Sequence, residues 1–194
     1  MRVLILSFLF KIGFVCIIGS SAQAFILDVN TTIFQDSQTT ATDAKSSRSM
    51  YNIAAYGDLS RAGGAGFHLG WSVFSVAQKT ELGTTTSEEF KSLDMGPALR
   101  WSIDRNRIYS VTVVYGVTAK GSYSSGSATS QDIRGTQLFA KIAVEPPLND
   151  NWHAGFAINY YSTSYNLAVS NSTETTISYK NNWIFPTISI SYHY

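Results

Sequence analysis

The chain has 194 residues, with 14 Lys and Arg against 13 Asp and Glu and a formal charge of +1, which leaves no basic field for nucleic acid. Charged residues are scarce at 14%, aromatics plentiful at 13%, and glycine is common. Beyond the first residues no segment reaches the roughly 18 consecutive apolar residues of a spanning helix, so a helical membrane protein is excluded.

The start reads as an export leader. Arg2 opens it, an apolar run follows from Val3 to Ile18 broken by Lys11, and Ala22-Gln23-Ala24 is a small-x-small cleavage site. Residues 1–24 are therefore expected to be a cleaved signal peptide and residues 25–194 one domain. The single cysteine, Cys16, lies in the leader, and Val15 before it is not the small residue a lipoprotein needs. The mature chain would carry no disulfide, and 12 basic against 13 acidic residues once Arg2 and Lys11 are gone.

Eight segments then alternate with period two. In segment one (25–34) Phe25, Leu27, Val29 and Ile33 share one face, and Asp28, Asn30 and Thr32 the other. Segment two (50–60) sets Tyr51, Ile53, Ala55 and Leu59 against Asn52, Tyr56 and Asp58; segment three (65–77) sets Phe67, Leu69, Trp71 and Val73 against His68, Gly70, Ser72 and Phe74. Segment four (90–103) has Leu93, Met95, Pro97, Leu99 and Trp101 opposite Asp94, Gly96, Ala98 and Arg100. Segment five (108–120) has Tyr109, Val111, Val113, Tyr115 and Val117 opposite Ser110, Thr112, Gly116 and Thr118. In segment six (132–145) Leu138, Ala140, Ile142 and Val144 oppose Gln137, Phe139, Lys141 and Glu145; in segment seven (151–165) Trp152, Ala154, Phe156, Ile158 and Tyr160 oppose His153, Gly155, Ala157, Asn159 and Tyr161. Segment eight ends the chain, with Ile184, Pro186, Ile188, Ile190, Tyr192 and Tyr194 on one face and Phe185, Thr187, Ser189, Ser191 and His193 on the other.

The connections alternate as well. Polar, Ser/Thr-rich runs (35–49, 78–89, 121–131, 166–181) follow the odd segments, and tight turns (61–64, 104–107, 147–150) follow the even ones. The apolar 165–169 stretch is read as a hairpin arm extending segment seven. Pro97 and Pro186 cannot donate to a ladder, so a bulge is expected near Gly96-Pro97 and an irregular start near Phe185-Pro186.

The terminal stretch from Asn182 to Tyr194, with its last aromatic, resembles the C-terminal signature of bacterial outer-membrane β-barrels, a family that more often ends in Phe. The whole pattern is similar to the small eight-stranded barrels, the transmembrane domain of outer-membrane protein A and outer-membrane protein X. That resemblance implies an all-β, eight-stranded antiparallel up-and-down transmembrane β-barrel, with short periplasmic turns and long extracellular loops, in the bacterial outer membrane. It implies as partners the outer-membrane lipid and lipopolysaccharide, and the barrel assembly machinery through the closing strand. A structural or surface-interaction role, adhesion or recognition, follows as the expected function.

By parity the apolar faces point to lipid and the polar faces to the lumen. Outward Trp101, Tyr109, Trp152, Tyr192 and Tyr194 all fall near a short-turn end, as an interfacial girdle would. Inward Asp28, Asp58, His68, Arg100, Lys141, Glu145, His153 and His193 fall in the periplasmic half, with His153 and His193 on adjacent strands. A metal or acid–base site is one reading of this set. An interior ion-pair network is the preferred one, because buried charges must be paired and no tight metal-ligand spacing occurs. No metal, no cofactor and no enzymatic activity are expected.

Three other classes compete with this reading. The first is a transport barrel, either a small pore or one with a hydrophobic-ligand lumen like that of the outer-membrane protein W group; inward Tyr56, Phe74, Phe139, Tyr161 and Phe185 speak for a packed interior instead. The second is a lipid A-modifying enzyme: Ser191-Tyr192-His193 reverses the His and Ser spacing of the deacylases and sits at the periplasmic end. The third is a soluble lipocalin-like barrel, which would turn the charges outward and the aromatics inward, the opposite of the midstrand pattern.

Overall fold

The computed structural model describes residues 25–32, 36–39, 44–59, 66–82, 86–125, 131–170 and 173–194. The expected leader, Ile33 and the turn at 61–64 lie outside the described residues. The strands are β1 (Phe25–Thr32), β2 (Asp36–Thr39), β3 (Ala44–Asp58), β4 (Gly66–Leu82), β5 (Thr86–Ser102), β6 (Tyr109–Ser125), β7 (Gln131–Val144), β8 (Trp152–Ser170) and β9 (Thr173–His193). All pairings are antiparallel between neighbours, and β1 closes the ring by pairing with both β3 and β9. β2 continues along β3 where β1 leaves off, so β1 and β2 are two pieces of the first of eight staves. The ends of the chain's barrel meet: the Tyr194 amide donates to the Phe25 carbonyl at 2.8 Å, and the Phe25 amide to the Tyr194 carbonyl at 3.3 Å.

The face assignment follows the apolar pattern through the lower half of every stave. Leu99 is 42% exposed while Arg100 beside it is 0% exposed. Six consecutive outward positions, from Leu93 on β5 to Ile103 just past its end, carry no charge. At a rise of about 3.3 Å per residue they cover about 33 Å of strand, or about 25 Å of height at the usual tilt. That is the depth of a bilayer's apolar band.

Above this band the staves continue. β4, β5 and β6 have 17 residues each, β8 has 19 and β9 has 21. The polar runs read as loops are therefore largely strand, continued into hairpin arms. The reason lies in the pattern. Here the outward residues are Lys79, Glu81, Glu89 and Lys91, and the inward ones are Phe90, Tyr165, Tyr179 and Trp183. The staves switch from apolar-out to polar-out where they leave the lipid.

The register shift expected near Gly96-Pro97 is present between β5 and β6, but its additional residue is on β6: Met95 pairs with Thr118, and Ala98 with Val114. The same bulge shifts β6 against β7 between Gly116 and Ala119. Beyond it the parity of β6 reverses, so Ala119 is buried and Thr118, expected inward, is not part of the lumen wall's regular face. The Ile103 amide points to β6, so Pro97, six residues earlier on an unbroken strand, turns its missing donor to the bulge. No irregularity occurs at Phe185-Pro186: β9 begins at Thr173, and Asn159–Phe185 and Ile158–Pro186 are consecutive rungs. Tyr194 faces β1 through its backbone groups, so Pro186 does too, toward a position outside the described residues. Pro97 thus sits where no ladder donor is required.

Short turns are tied by side-chain caps. Asp104 Oδ1 accepts from the Tyr109 amide at 2.8 Å and Oδ2 from the Asn106 amide at 3.1 Å, while Arg107 takes a left-handed φ of 57°. Asn149 Oδ1 accepts from the amides of Asn151 and Trp152 at 3.0 and 2.9 Å. These are Asx-type closures of tight hairpins.

Candidate functional site

Within the ring, the lumen has two storeys of different chemistry. The lower one is built around four ionised groups, each no more than 1% exposed: Asp28 on β1, Arg100 on β5, Lys141 on β7 and Glu145 just after β7. Arg100 donates to Glu145 at 2.7 Å and to Asp28 at 3.2 Å. Lys141 donates to Asp28, to Asn30 at 3.2 Å, to Ser189 at 3.3 Å and to Glu145 at 3.4 Å. The Ser189 hydroxyl lies within bonding reach of both carboxylates, Glu145 and, at 3.1 Å, Asp28, with one proton to give. Two cations and two anions therefore pair across the bore, as buried charges must, and of these groups only the Arg100 Nε lacks a partner. The network continues along the neighbouring staves β3 and β4 through Asn30 to Asn52 at 3.0 Å and Asn52 to Ser72 at 2.6 Å.

The eight interior residues expected from the sequence do not form one cluster. Asp28, Arg100, Lys141 and Glu145 form the cross-lumen network. His153 and His193 stack at 4.0 Å with their planes 8° apart; His153 Nδ1 meets the Glu145 carbonyl at 3.0 Å, and His193 Nε2 meets Ser191 Oγ at 2.9 Å. Asp58 and His68 pair at the rim, with His68 Nε2 at 3.1 Å from Ser102 Oγ and Arg107 at 3.7 Å from Asp58. Among the described residues no group of three or more His, Cys, Asp or Glu could hold a metal ion. Ser191 is fully buried, with its hydroxyl 2.9 Å from His193 Nε2 and 3.4 Å from Glu145.

The upper storey is aromatic. Phe74 packs on Phe139 at 4.7 Å between ring centroids, and Tyr161 packs on Trp183 at 5.6 Å. Above them Phe90 lies 5.5 Å from Tyr165 and 5.7 Å from Tyr179, with Tyr123 a further 6.0 Å from Tyr179. Arg48 caps the group 5.0 Å above the Trp183 ring. Trp183 Nε1 donates to Asn181 at 2.7 Å, and Asn181 donates to Gln78 at 3.0 Å. A carboxylate lies among these rings: Asp94 accepts from Tyr161, and from Ser92 at 3.3 Å. Sequence reasoning places Phe74, Phe139 and Tyr161 inside but misses Phe90, Tyr123, Tyr179 and Trp183. Their signal was the same period of two, in segments too polar outside to read as membrane strands.

The aromatics expected to face lipid at the short-turn end are exposed on the outer wall. Trp101, Tyr109 and Trp152 are between 43% and 50% exposed and Tyr194 is 74% exposed. Trp152 packs against Tyr192 at 5.1 Å and Trp101 against Phe67 at 5.8 Å. Tyr51, Tyr115 and Tyr160 are further outward aromatics, higher on the wall. Exposed aromatics beside an apolar belt are what a barrel wall presents to lipid.

No family model matches the chain, and no curated protein sequence matches it. Three solved structures are similar in fold, at low identity. The outer membrane protein OprG from Pseudomonas aeruginosa aligns with 12% identity and a TM-score of 0.41, covering 89% of this chain and 96% of that one. The translocator domain of the autotransporter NalP from Neisseria meningitidis aligns with 13% identity and a TM-score of 0.36, covering 96% and 66%. OmpT of Vibrio cholerae aligns with 10% identity and a TM-score of 0.29, covering 90% and 53%. The fold of this chain is an eight-stranded, antiparallel, up-and-down β-barrel with a lipid-facing wall.

Proposed function

We propose that this chain is a plugged outer-membrane barrel, which anchors a rigid crown of hairpin arms at the cell surface for adhesion or recognition. The observation that carries this reading is the cross-lumen network of Asp28, Arg100, Lys141 and Glu145, whose side chains are at most 1% exposed. A conducting pore would keep such charges wet. Here they bond to one another across the bore, and an aromatic storey lies above them. An eight-stranded ring is only wide enough for its side chains to fill. The crown, by contrast, is polar on its outer face and held by paired backbone, a stiff platform for contact with a partner.

Planar-bilayer recording of the refolded mature chain tests this. The expected result is a silent membrane. Discrete, reproducible openings would replace the plugged reading with that of a small pore.

A further inference from the structure

On the wall formed by β6 and β7, Lys120 and Arg134 stand directly opposite one another in the ladder. Their chain neighbours Ala119 and Ile133 are buried in the lumen, so both cations point outward, and both are exposed. On its other side Lys120 pairs with Leu93, the last outward apolar residue of β5. The two cations therefore sit at the rim of the apolar band. Val117 is exposed just below Lys120, and Leu167 is the partner of Arg134 on β8.

Like charges directly opposite one another destabilise an antiparallel pair. Among the described residues no ion pair holds either of them. Asp132, on the next outward rung, faces Ser122; among the described residues it forms no ion pair with Lys120 or Arg134. Lys91 on β5 is held by Glu89 at 3.2 Å. The height of the pair supplies the missing partner. Polar headgroups occupy roughly 5–7 Å on each side of the hydrocarbon. Lys and Arg stems lie along apolar surface while their heads reach into that layer. A phosphate there accepts a planar fork from Arg and a point charge from Lys.

We infer that Lys120 and Arg134 clamp a phosphate of an outer-leaflet glycolipid against the barrel wall. The clamp rests on the reading of the chain as an outer-membrane barrel. It commits to a lipid headgroup, held by its apolar tails beside Val117 and Leu167, over a soluble phosphate.

The test uses the full mature chain refolded into phosphatidylcholine vesicles, alone or doped with phosphorylated lipid A or with lipid A stripped of phosphate. The readout is the temperature at which the folded gel mobility is lost. Wild type should gain thermal stability with phosphorylated lipid A and not with the stripped form. The double variant Lys120→Gln/Arg134→Gln should lose most of that gain. In plain phosphatidylcholine it should be as stable as wild type or more so, because the repulsion is gone. Retention of the gain by the double variant would overturn the clamp. So would an equal loss in Lys79→Gln/Lys180→Gln, which removes outward charge elsewhere, or an equal gain from inorganic phosphate without lipid A. A protein with no folded mobility in any vesicle would overturn the barrel reading and the clamp with it. Folded mobility without a lipid-dependent gain would overturn the clamp alone.

Discussion

Glu145 lies just past the end of β7, yet its carboxylate accepts from Arg100, Lys141, Ser189 and Ser191. Removing it leaves two buried cations with only Asp28 between them. Breaking a buried pair from one side costs about 3–5 kcal/mol, whereas replacing both partners with apolar residues of similar size is often neutral. Glu145→Gln should therefore lower the urea midpoint of the refolded barrel substantially. Glu145→Leu combined with Arg100→Met should recover part of that loss, because Lys141 and Asp28 still neutralise each other. Additive losses in the double variant would mean that Glu145 and Arg100 are not coupled through the lumen. The outer wall gives the complementary residue-scale prediction. Leu99 faces lipid and its strand neighbour Arg100 faces the lumen, so Leu99→Arg should cost roughly 2–4 kcal/mol near the midplane, read as reduced insertion into vesicles. Ser110→Arg acts on the other side of the wall, where Ser110 is 1% exposed. It should insert its charge into the packed lumen and lower stability without changing the lipid face.

The staves show what a sequence discloses and what it hides. From β1 to β9 the lower half was legible because lipid enforces one rule there: outward side chains are uncharged and mostly apolar, so Leu27, Leu69, Leu99, Ile142 and Ile188 mark the face. Above the band water replaces lipid. Lys91 and Glu89 alternate with Phe90 in β5, and Lys180 and Asn182 alternate with Tyr179 and Trp183 in β9. That is an ordinary half-buried strand, but in a Ser/Thr-rich run it reads as a loop. The β6 bulge was hidden for another reason. Val117, Thr118 and Ala119 are short enough to face either way, so nothing in them marks the extra residue that reverses parity. The lower-storey cluster was recoverable from parity alone. Its division into a cross-lumen network, a histidine stack and a rim pair depends on which staves face each other, which a one-dimensional pattern does not contain. These arms yield an element-scale prediction: amides of 76–81, 88–92 and 120–123 should exchange with solvent as slowly as lower ladder positions, since they are paired on both sides. Exchange on the timescale of an open loop would return those residues to the loop reading. Gly96 offers a second check, because a Cβ there would lie 1.9 Å from the Tyr115 carbonyl oxygen, beside the bulge. Gly96→Ala should thus destabilise the barrel, against the gain of about 0.4–1 kcal/mol that the substitution brings at an unstrained site.

At the scale of the whole molecule the two storeys lie in series along one bore, and this decides how the plug can be opened. The lower storey closes by charge: Arg100 and Lys141 each reach Asp28 and Glu145. The upper one closes by volume, through Phe74, Phe139 and Tyr161 packed with centroids 4.7 and 6.5 Å apart. An ion that passes one still meets the other, where the packed rings leave it no room. Replacing Arg100, Lys141, Asp28 and Glu145 together by alanine should therefore leave planar bilayers silent, because the aromatic storey remains. Phe74→Ala with Tyr161→Ala should also stay silent, because the ion-pair network remains below. Only the combination should produce discrete openings. Three recordings separate the possibilities: openings from the charge variant alone would place the whole barrier in the network, and openings from the aromatic variant alone would place it in the rings. Openings from the combined variant alone are what two independent closures in one narrow ring require.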